Sequence, residues 1–324
     1  IHSGDPKNRD HCDCEVRDKE MADNMDRITG DYNDFWAGRD YLNQLDKLKA
    51  PVLMAHAFND WNVMPEHSVR IYQALKEKGV PVQCYFHQGG HGGPPPMKQM
   101  NRWFTRYLHG IENGVEDDPK AWVVREKAKR TEPTPYGDYP NPDATAVELL
   151  PTRLMKNGKG GLELNPPKTS GIDSNQGKQT FTDDVSLTGA ELAQSDSSDH
   201  RLLFVTPELK EPVHLSGTPS LSIKVASSKS AANLSVWVVS LPWKKRGRIT
   251  DNIITRGWAD PQNHKSLSES EPLKPGQFYS LKFDLQPDDQ VIPAGQQIGL
   301  MIFSSDRDSI FRARIIQLPT INQY

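Results

Sequence analysis

One stretch in the first half of the chain constrains the fold most, because it alternates between short apolar runs and amphipathic segments. Residues 50–56 are apolar with little polar alternation, which is typical of a strand covered on both faces of a parallel sheet. A helix is predicted over 66–78, a second strand over 80–86 and a second helix over 97–109. This order predicts an α/β sheet with right-handed crossovers between parallel strands.

Two parallel strands are too few for such a sheet, so we expect further strands upstream of residue 1. The chain does not begin with Met, and residues 1–5 have neither the basic nor the apolar region of a signal peptide. We therefore expect the sequence to begin inside a longer protein. Before the α/β stretch, helices are predicted over 14–28 and 40–48.

Beyond Gly110 the pattern changes to short strands separated by turn clusters, which is typical of an all-β sandwich. The stretch 131–142 contains four prolines and is predicted to be a linker or a surface strap. We predict an α/β part over residues 1–115 and a β-sandwich over residues 116–324. The predicted strands lie at 122–124, 146–150, 162–164, 202–206, 221–225, 234–241, 253–258, 278–285 and 297–303.

Two polar residues follow the two predicted parallel strands. Asp60 comes after the first strand, and His91 lies in the loop Gly89-Gly90-His91-Gly92-Gly93 after the second. Active sites of open α/β sheets form at the carboxyl ends of strands. In α/β hydrolases the triad residues follow one another along the chain in the order Ser, Asp, His, and Asp60 and His91 match the last two. The histidine would act as general base and then general acid, and the aspartate would orient it. The alternative is a capping aspartate and an ordinary loop histidine.

Several longer motifs surround this pair. They are Gly30-Asp31-Tyr32-Asn33-Asp34-Phe35-Trp36, Arg39-Asp40-Tyr41, Asn59-Asp60-Trp61-Asn62-Val63, Gly90-His91-Gly92 and Arg102-Trp103-Phe104. Together they resemble the X-prolyl dipeptidyl aminopeptidases, within a larger group that includes the cocaine esterases and α-amino acid ester hydrolases. The segment Asp-Trp-Asn-Val is the most specific of them.

The resemblance implies that residues 1–115 are the C-terminal portion of an α/β-hydrolase catalytic domain and residues 116–324 a jelly-roll-like β-sandwich. It implies release of a dipeptide from a free N-terminus when proline, or less well alanine, is second. Asp60 and His91 would be the acid and base of the triad. Of the substrate-binding residues Trp61, Asn62 and Val63, Asn62 would hold the α-ammonium group and Val63 would line the proline pocket. The substrate would be a proline-containing peptide, and neither a metal nor an organic cofactor is expected.

The nucleophile of such an enzyme is missing from this sequence. The chain contains no Gly-x-Ser-x-Gly elbow, and in the resembled family the serine lies upstream of the matched region. We therefore expect a serine-type dipeptidyl-peptidase fragment that is inactive without its N-terminal hydrolase half. The alternatives are an ester or acyl hydrolase of the cocaine esterase or α-amino acid ester hydrolase type, and a non-catalytic binding fragment.

Other clusters have weaker interpretations. His11, Cys12 and Cys14 lack the spacing of a zinc site and are predicted to lie in an exposed polar loop. His87 is predicted to be a loop or strand-end histidine, and the basic run Lys244-Lys245-Arg246-Gly247-Arg248 a hairpin tip. The group Trp237, Trp243 and Trp258 predicts either a buried sandwich core or a sugar-binding face.

Composition limits the partners. The net charge of −3 gives no general reason to expect nucleic acid or an anionic membrane, and no apolar run approaches the roughly 18 residues of a membrane span. The odd count of three cysteines argues against a disulfide framework. We expect a soluble protein of bacterial type, and the sequence leaves open whether it is cytoplasmic or secreted/periplasmic and whether it forms a homo-oligomer.

Overall fold

The computed structural model describes residue 7 and residues 10–26, 28–154, 158–165, 177–244 and 251–306. The chain divides into two compact units. The first comprises Ile1–Lys49, Ser222–Ala232 and Asp260–Leu281, and the second comprises Ala50–Leu221, Asn233–Ala259 and Lys282–Tyr324. The predicted division at residue 115 stays a prediction. The hairpin tip predicted at 244–248 lies outside the described residues except for Lys244.

In the first unit, the N-terminal segment begins with an exposed helix. A helix with π-type hydrogen bonding covers His11–Met21 and continues as α1, Ala22–Asn24. None of the residues of these two segments is buried. The helix predicted over 14–28 is therefore confirmed in part, because the helical segment begins earlier and ends at Asn24.

Two short helices follow, and polar side chains cap both. Helix α2, Asp34–Ala37, begins after Asn33, whose side chain accepts hydrogen bonds from the backbone N–H groups of Phe35 and Trp36. A 3-10 helix over Tyr41–Lys47 begins in the same way at Asp40. The helix predicted over 40–48 is thus present, in its tighter 3-10 form.

A segment far along the chain completes the first unit. The N–H of Tyr32 donates to the carbonyl oxygen of Leu267 at 2.7 Å. Asp31 accepts a 2.8 Å hydrogen bond from Nδ2 of Asn263, at the end of a 3-10 turn over Pro261–Asn263. This hydrogen bond lowers the pKa of Asp31. The first unit is therefore built from segments that are distant in sequence.

The second unit contains the predicted α/β stretch. Its elements are β1 (Val52–Ala57), α3 (Pro65–Glu77), β2 (Val82–His87) and α4 (Met97–Tyr107). Strands β1 and β2 pair in parallel, from Val52 opposite Val82 to Ala57 opposite His87. The prediction of two parallel strands with a crossover helix is confirmed.

The two helices differ in how well the sequence predicted their buried faces. Helix α3 buries Val69, Tyr72 and Leu75 on the predicted face. In α4 the predicted face is wrong, because Met97 and Phe104 are exposed and Trp103 is the buried residue. The Trp103 ring packs against that of Tyr107, with 4.6 Å between the ring centroids. The largest side chain of the helix is therefore the one that faces the interior.

The sheet continues beyond β2. After a 3-10 turn over Val115–Asp117, β3 (Ala121–Val123) pairs in parallel with β2, and β4 (Thr134–Tyr136) pairs antiparallel with β3. The strand predicted at 122–124 thus joins the α/β sheet rather than a sandwich. Part of the proline-rich stretch forms β4 and is more than a linker, because an edge strand tolerates a proline that cannot donate a hydrogen bond.

The rest of the described chain is rich in strands, as predicted. The strands are β5 (Leu149–Pro151), β6 (Lys159–Leu164), β7 (Leu202–Val205), β8 (Val213–Gly217), β9 (Ser220–Val225), β10 (Leu234–Leu241), β11 (Ile253–Ala259), β12 (Tyr279–Asp284), β13 (Asp288–Ile292) and β14 (Gln297–Phe303). A six-stranded sheet has the order β11-β10-β14-β7-β6-β5, and two further pairs join β9 with β12 and β8 with β13. A jelly-roll topology stays a prediction.

In the described part of the β-rich region, one helix and two strands were missed by the sequence patterns. Helix α5, Gly189–Gln194, is only six residues long and depends on a capping box between Thr188 and Glu191. Strands β8 and β13 carry polar residues that hide the usual alternation. The core of the six-stranded sheet is apolar, with Trp237, Val239 and Phe303 at its centre.

Candidate active site

The loop after β1 holds Asp60 in a fixed orientation. This acid loop, residues 60–63, begins where the N–H of Asp60 donates to the carbonyl oxygen of Ala57. The Oδ1 atom of Asp60 accepts hydrogen bonds from the N–H groups of Asn62 at 3.0 Å and Val63 at 3.1 Å. Asp60 is only 4% exposed. Its carboxylate is thus fixed by its own loop, which leaves Oδ2 for another partner.

That partner is His91. Its Nδ1 atom lies 2.8 Å from Oδ2 of Asp60, in the base loop, residues 88–93, that follows β2. The backbone of Gly92 and Gly93 has φ angles of +83° and +115°, which favour glycine over residues with a Cβ atom. The structure therefore brings the predicted acid and base together, through the glycine-rich turn seen in the sequence.

Hydrogen bonds join the two residues just before the acid loop to the end of β2 and the start of the base loop. The N–H of Phe58 donates to the carbonyl oxygen of His87 at 2.9 Å, and the N–H of Asn59 to that of Gly89 at 3.2 Å. The side-chain amide of Asn59 also donates to the carbonyl oxygen of Gln88 at 3.1 Å. The two loops therefore extend the parallel pairing of β1 and β2 and hold the Asp–His pair at the carboxyl ends of these strands.

The charge state of Asp60 determines which nitrogen of the His91 ring donates a hydrogen bond. Burial alone would raise its pKa, but hydrogen bonds from the N–H of Val63, the ring of His91 and the N–H of Asn62 outweigh burial and lower the pKa. An ionised carboxylate can only accept, so Nδ1 of His91 is the donor in this pair. The His91 side chain is 65% exposed. Its Nε2 atom is the ring nitrogen that remains for a contact outside this pair.

A second histidine, which the sequence patterns did not single out, supports the acid loop. His56 lies on β1 and is 9% exposed. Its Nε2 atom is 2.9 Å from the carbonyl oxygen of Val63 and 3.5 Å from Oδ2 of Asp60, and its Nδ1 atom contacts Oγ of Ser68. The available signal was a histidine inside an otherwise apolar strand, four residues before Asp60.

The predicted substrate-binding residues occupy the rest of the acid loop. Asn62 and Val63 are exposed, and Val63 presents an apolar side chain that is 43% exposed. Trp61 is half-buried beneath the guanidinium group of Arg256, whose carbon lies 3.2 Å from the centre of a Trp61 ring. The loop therefore offers one polar and one apolar side chain to solvent, next to the Asp–His pair.

His87 has a structural role at the end of β2, as predicted. It is 1% exposed, and its Nδ1 atom accepts a 3.0 Å hydrogen bond from the N–H of Gly89. Burial and the nearby positive charge of Arg130 lower its pKa. A Cβ atom on Gly93 would come within 2.6 Å of Nε2 of His87 and within 2.5 Å of Nη1 of Arg130, so these two side chains set the close approach of the base loop.

His11, Cys12 and Cys14 lie in the helix over His11–Met21 and not in the polar loop that was predicted. Nδ1 of His11 pairs with Glu15 at 2.7 Å, and Cys12, Cys14 and Cys84 are free thiols. Among the described residues, no group of three or more His, Cys, Asp or Glu side chains is arranged to hold a metal ion.

The tryptophans form part of the interior. Trp237 is fully buried, and Trp243 packs against the same core. Trp258 is half-buried and donates its indole N–H to Asp306 at 3.1 Å. The core interpretation is confirmed for Trp237, which is not available to a sugar.

The parallel sheet with its crossover helix and the β-rich region that follows it define the class of the fold as α/β-hydrolase-like with a β-rich C-terminal region. Two family models match the sequence: the X-Pro dipeptidyl-peptidase (S15 family) over residues 2–93, and the X-Pro dipeptidyl-peptidase C-terminal non-catalytic domain over residues 113–316. The chain belongs to the X-Pro dipeptidyl-peptidase family.

Curated relatives agree with this family. A protein of Rhodopirellula baltica, named as a candidate Xaa-Pro dipeptidyl-peptidase, is 60% identical over 95% of this chain and 49% of its own length. A protein of Bacillus anthracis with the same name is 35% identical over 91% of this chain and 48% of its own length. The chain thus spans about half the length of the relatives it matches.

Solved structures share the fold at low sequence identity. An aminopeptidase from a marine sediment archaeon, Thaumarchaeota archaeon, superposes with a TM-score of 0.63 at 17% identity, over 88% of this chain and 54% of that one. An α-amino acid ester hydrolase superposes with a TM-score of 0.64 at 15% identity, over 91% and 55%. Within the described part of the chain, no helix is long and apolar enough to cross a membrane.

Proposed function

We propose that this chain supplies the acid and base of a serine-type hydrolase that releases Xaa-Pro dipeptides from the N-termini of peptides. The observation that carries the proposal is the 2.8 Å hydrogen bond between Nδ1 of His91 and Oδ2 of Asp60. The nucleophilic serine would come from a part of the protein outside this chain, because the sequence has no nucleophile elbow. Membership of the X-Pro dipeptidyl-peptidase family supports the substrate class.

The geometry suits a triad in which His91 moves one proton. The Nε2 atom of His91 would take the proton from the serine hydroxyl as the oxygen attacks the scissile carbonyl, and would then pass it to the leaving amine. Asp60 holds the proton on Nδ1 and stabilises the imidazolium ion that forms between these steps. The dipeptide is then held on the serine as an ester. Water would attack this ester while His91 takes its proton, and the proton would pass to the serine oxygen as the dipeptide leaves.

The acid loop is proposed to recognise the end of the peptide. The side-chain oxygen of Asn62 can accept a hydrogen bond from a substrate α-ammonium group. The exposed side chain of Val63 offers apolar surface to a proline ring. The stack of Trp61 with Arg256 holds the loop that carries both residues. A free N-terminus and a proline in second place would thus be read by adjacent residues.

Turnover of an Ala-Pro chromogenic amide tests the proposal. The chain would be assayed alone and after co-expression with the part of the Rhodopirellula baltica relative that it does not cover. We expect no turnover by the chain alone, and turnover by the pair that a fluorophosphonate blocks. Turnover by the pair that survives His91→Ala would contradict the proposal.

The same preparation separates this function from ester hydrolysis. The fold is shared with an α-amino acid ester hydrolase, and both activities would use the same triad. Turnover of Ala-Pro amide that exceeds turnover of a simple amino acid ester favours the peptidase, and the reverse ratio favours the ester hydrolase.

A further inference from the structure

The β-rich region contributes a buried arginine to the acid loop. Arg256 lies on β11 and is only 4% exposed. Its guanidinium carbon is 3.2 Å from the centre of a Trp61 ring, a close stacking distance for a cation on an aromatic face. Trp61 is the residue directly after Asp60. One side chain of β11 therefore contacts the loop that orients the proposed acid.

Arg256 is itself held by a rigid group of residues. Its guanidinium lies 5.6 Å from the ring of Trp258 and 5.9 Å from that of Trp237. Both indole N–H groups donate to the fully buried Asp306, at 3.1 Å and 2.8 Å. A shared buried acceptor fixes the two tryptophans, and these in turn limit where the guanidinium can lie.

A second contact joins the same strand to the end of the acid loop. The N–H of Gln286 donates to the carbonyl oxygen of Arg256 at 2.8 Å. The Gln286 side chain donates to Oε2 of Glu66 at 2.9 Å and accepts from its N–H at 3.3 Å. Glu66 lies in the first turn of α3, just beyond the acid loop. The chain is thus linked to β11 before Val63, through Trp61, and after Val63, through Glu66 and Gln286.

We propose that Arg256 is a positioning residue for the Asp60–His91 pair: by stacking on Trp61, it holds the acid loop where the carboxylate of Asp60 faces the His91 ring. The inference rests on the proposed function. Arg256 lies in the region, residues 113–316, that matches a domain described as non-catalytic. That region would therefore help to orient the triad.

The chemistry at this position requires arginine rather than any cation. A guanidinium is planar and weakly hydrated, so it can lie flat on an indole inside the protein, whereas an ammonium group is compact and strongly hydrated. Arg256→Lys would keep the charge and lose the planar stack. We expect the lysine variant to fold while the acid loop becomes less well fixed.

The protonated nitrogen of the neutral His91 ring reports the position of Asp60, because the hydrogen bond to one nitrogen determines which nitrogen carries the proton. The experiment uses nitrogen NMR of the histidine-labelled chain, compared with Arg256→Lys and with Trp61→Leu, which removes the stack from the loop side. The wild-type ring is expected to carry its proton on Nδ1. Both variants are expected to lose part of this population to the Nε2–H form.

Arg201→Lys is the matched control. Arg201 is also a buried arginine of the β-rich region, but it donates to the carbonyl oxygens of Leu192 and Ser195. Its variant should leave the His91 tautomer unchanged. Circular dichroism would show which variants fold.

The outcomes separate the two proposals. A wild-type Nδ1–H ring that stays unchanged in the folded variants would overturn the role of Arg256 and leave the proposed function standing. An equal shift in Arg201→Lys would also overturn that role, because it would show a general effect of destabilisation. A wild-type ring protonated on Nε2 would overturn the acid–base pair and the positioning role together.

Discussion

The Nε2 atom of His56 lies 2.9 Å from the carbonyl oxygen of Val63, so a buried histidine of β1 holds the last residue of the acid loop. The other ring nitrogen contacts Oγ of Ser68 on helix α3. This ring therefore joins the strand before the loop to the helix after it. Replacing His56 should therefore lower the stability of the chain and the activity of the completed enzyme.

We predict that His56→Leu lowers the free energy of unfolding by about 1–3 kcal/mol, because it leaves the polar partners of the ring unsatisfied. Urea unfolding of the chain measures the change. His67→Leu is the matched control, since His67 is exposed on the same helix as Ser68, and it should change stability by less than about 0.5 kcal/mol. Equal losses in the two variants would contradict a specific role for His56.

We predict that Asp60→Asn lowers kcat of the completed enzyme by about four orders of magnitude, as loss of the orienting carboxylate does in serine hydrolases. The amide nitrogen would meet the donor on Nδ1 of His91, so the ring would turn or change its tautomer. Hydrolysis of Ala-Pro chromogenic amide measures the effect. Asp143→Asn, at an exposed position, should retain wild-type turnover, and an active Asp60→Asn enzyme would contradict the triad.

His87 gives a pH dependence of stability whose sign follows from its burial. Its pKa is lowered in the folded chain, while an unfolded histidine titrates near about 6.5. Between these two values the unfolded chain binds more protons, so stability falls as the pH falls through this window. We expect urea midpoints to decrease from pH 7.5 to pH 5.5, and His87→Gln to remove part of that decrease. An unchanged slope in His87→Gln, matching that of the exposed control His109→Gln, would contradict this contribution.

The sequence was informative where function depends on the order of elements along the chain. Asp60 and His91 each follow a strand with an apolar pattern, and parallel pairing brings the ends of β1 and β2 together. Local patterns of this kind need no knowledge of distant contacts. They predicted the meeting of Asp60 with His91 and the crossover helix, whose buried face includes Tyr72.

The residues that support the site from a distance were not predictable in this way. Arg256 meets Trp61 only after the β-rich region has folded, and no spacing in the sequence records that contact. Strand β13 was missed for a related reason. Its Asp289 is fully buried, but Arg125 and His214 pair with it, so tertiary charge pairing overrides the rule that buried strand positions are apolar.

Gly93 should resist substitution more strongly than a glycine elsewhere with positive φ. Its φ angle is +115°, and an added Cβ atom would approach the buried His87 ring. Gly110 is the control, because its φ angle is +70° and nothing lies within 4 Å of its added Cβ. We predict that Gly93→Ala costs about 1–3 kcal/mol of stability, and more than Gly110→Ala does in the same urea titration. Equal costs would show that the base loop can move away from His87.

Asn62→Ala should weaken recognition of the free N-terminus without removing the chemistry. The side chain is exposed beside the Asp–His pair, and it is proposed to contact the α-ammonium group and not the reacting carbonyl. We predict a higher KM for Ala-Pro chromogenic amide in the completed enzyme, with a smaller change in kcat, because uniform binding is lost. An N-acetylated substrate lacks the ammonium group and provides the comparison. If Asn62→Ala weakened binding of the free and the acetylated substrates equally, Asn62 would have a different role, such as support of the acid loop.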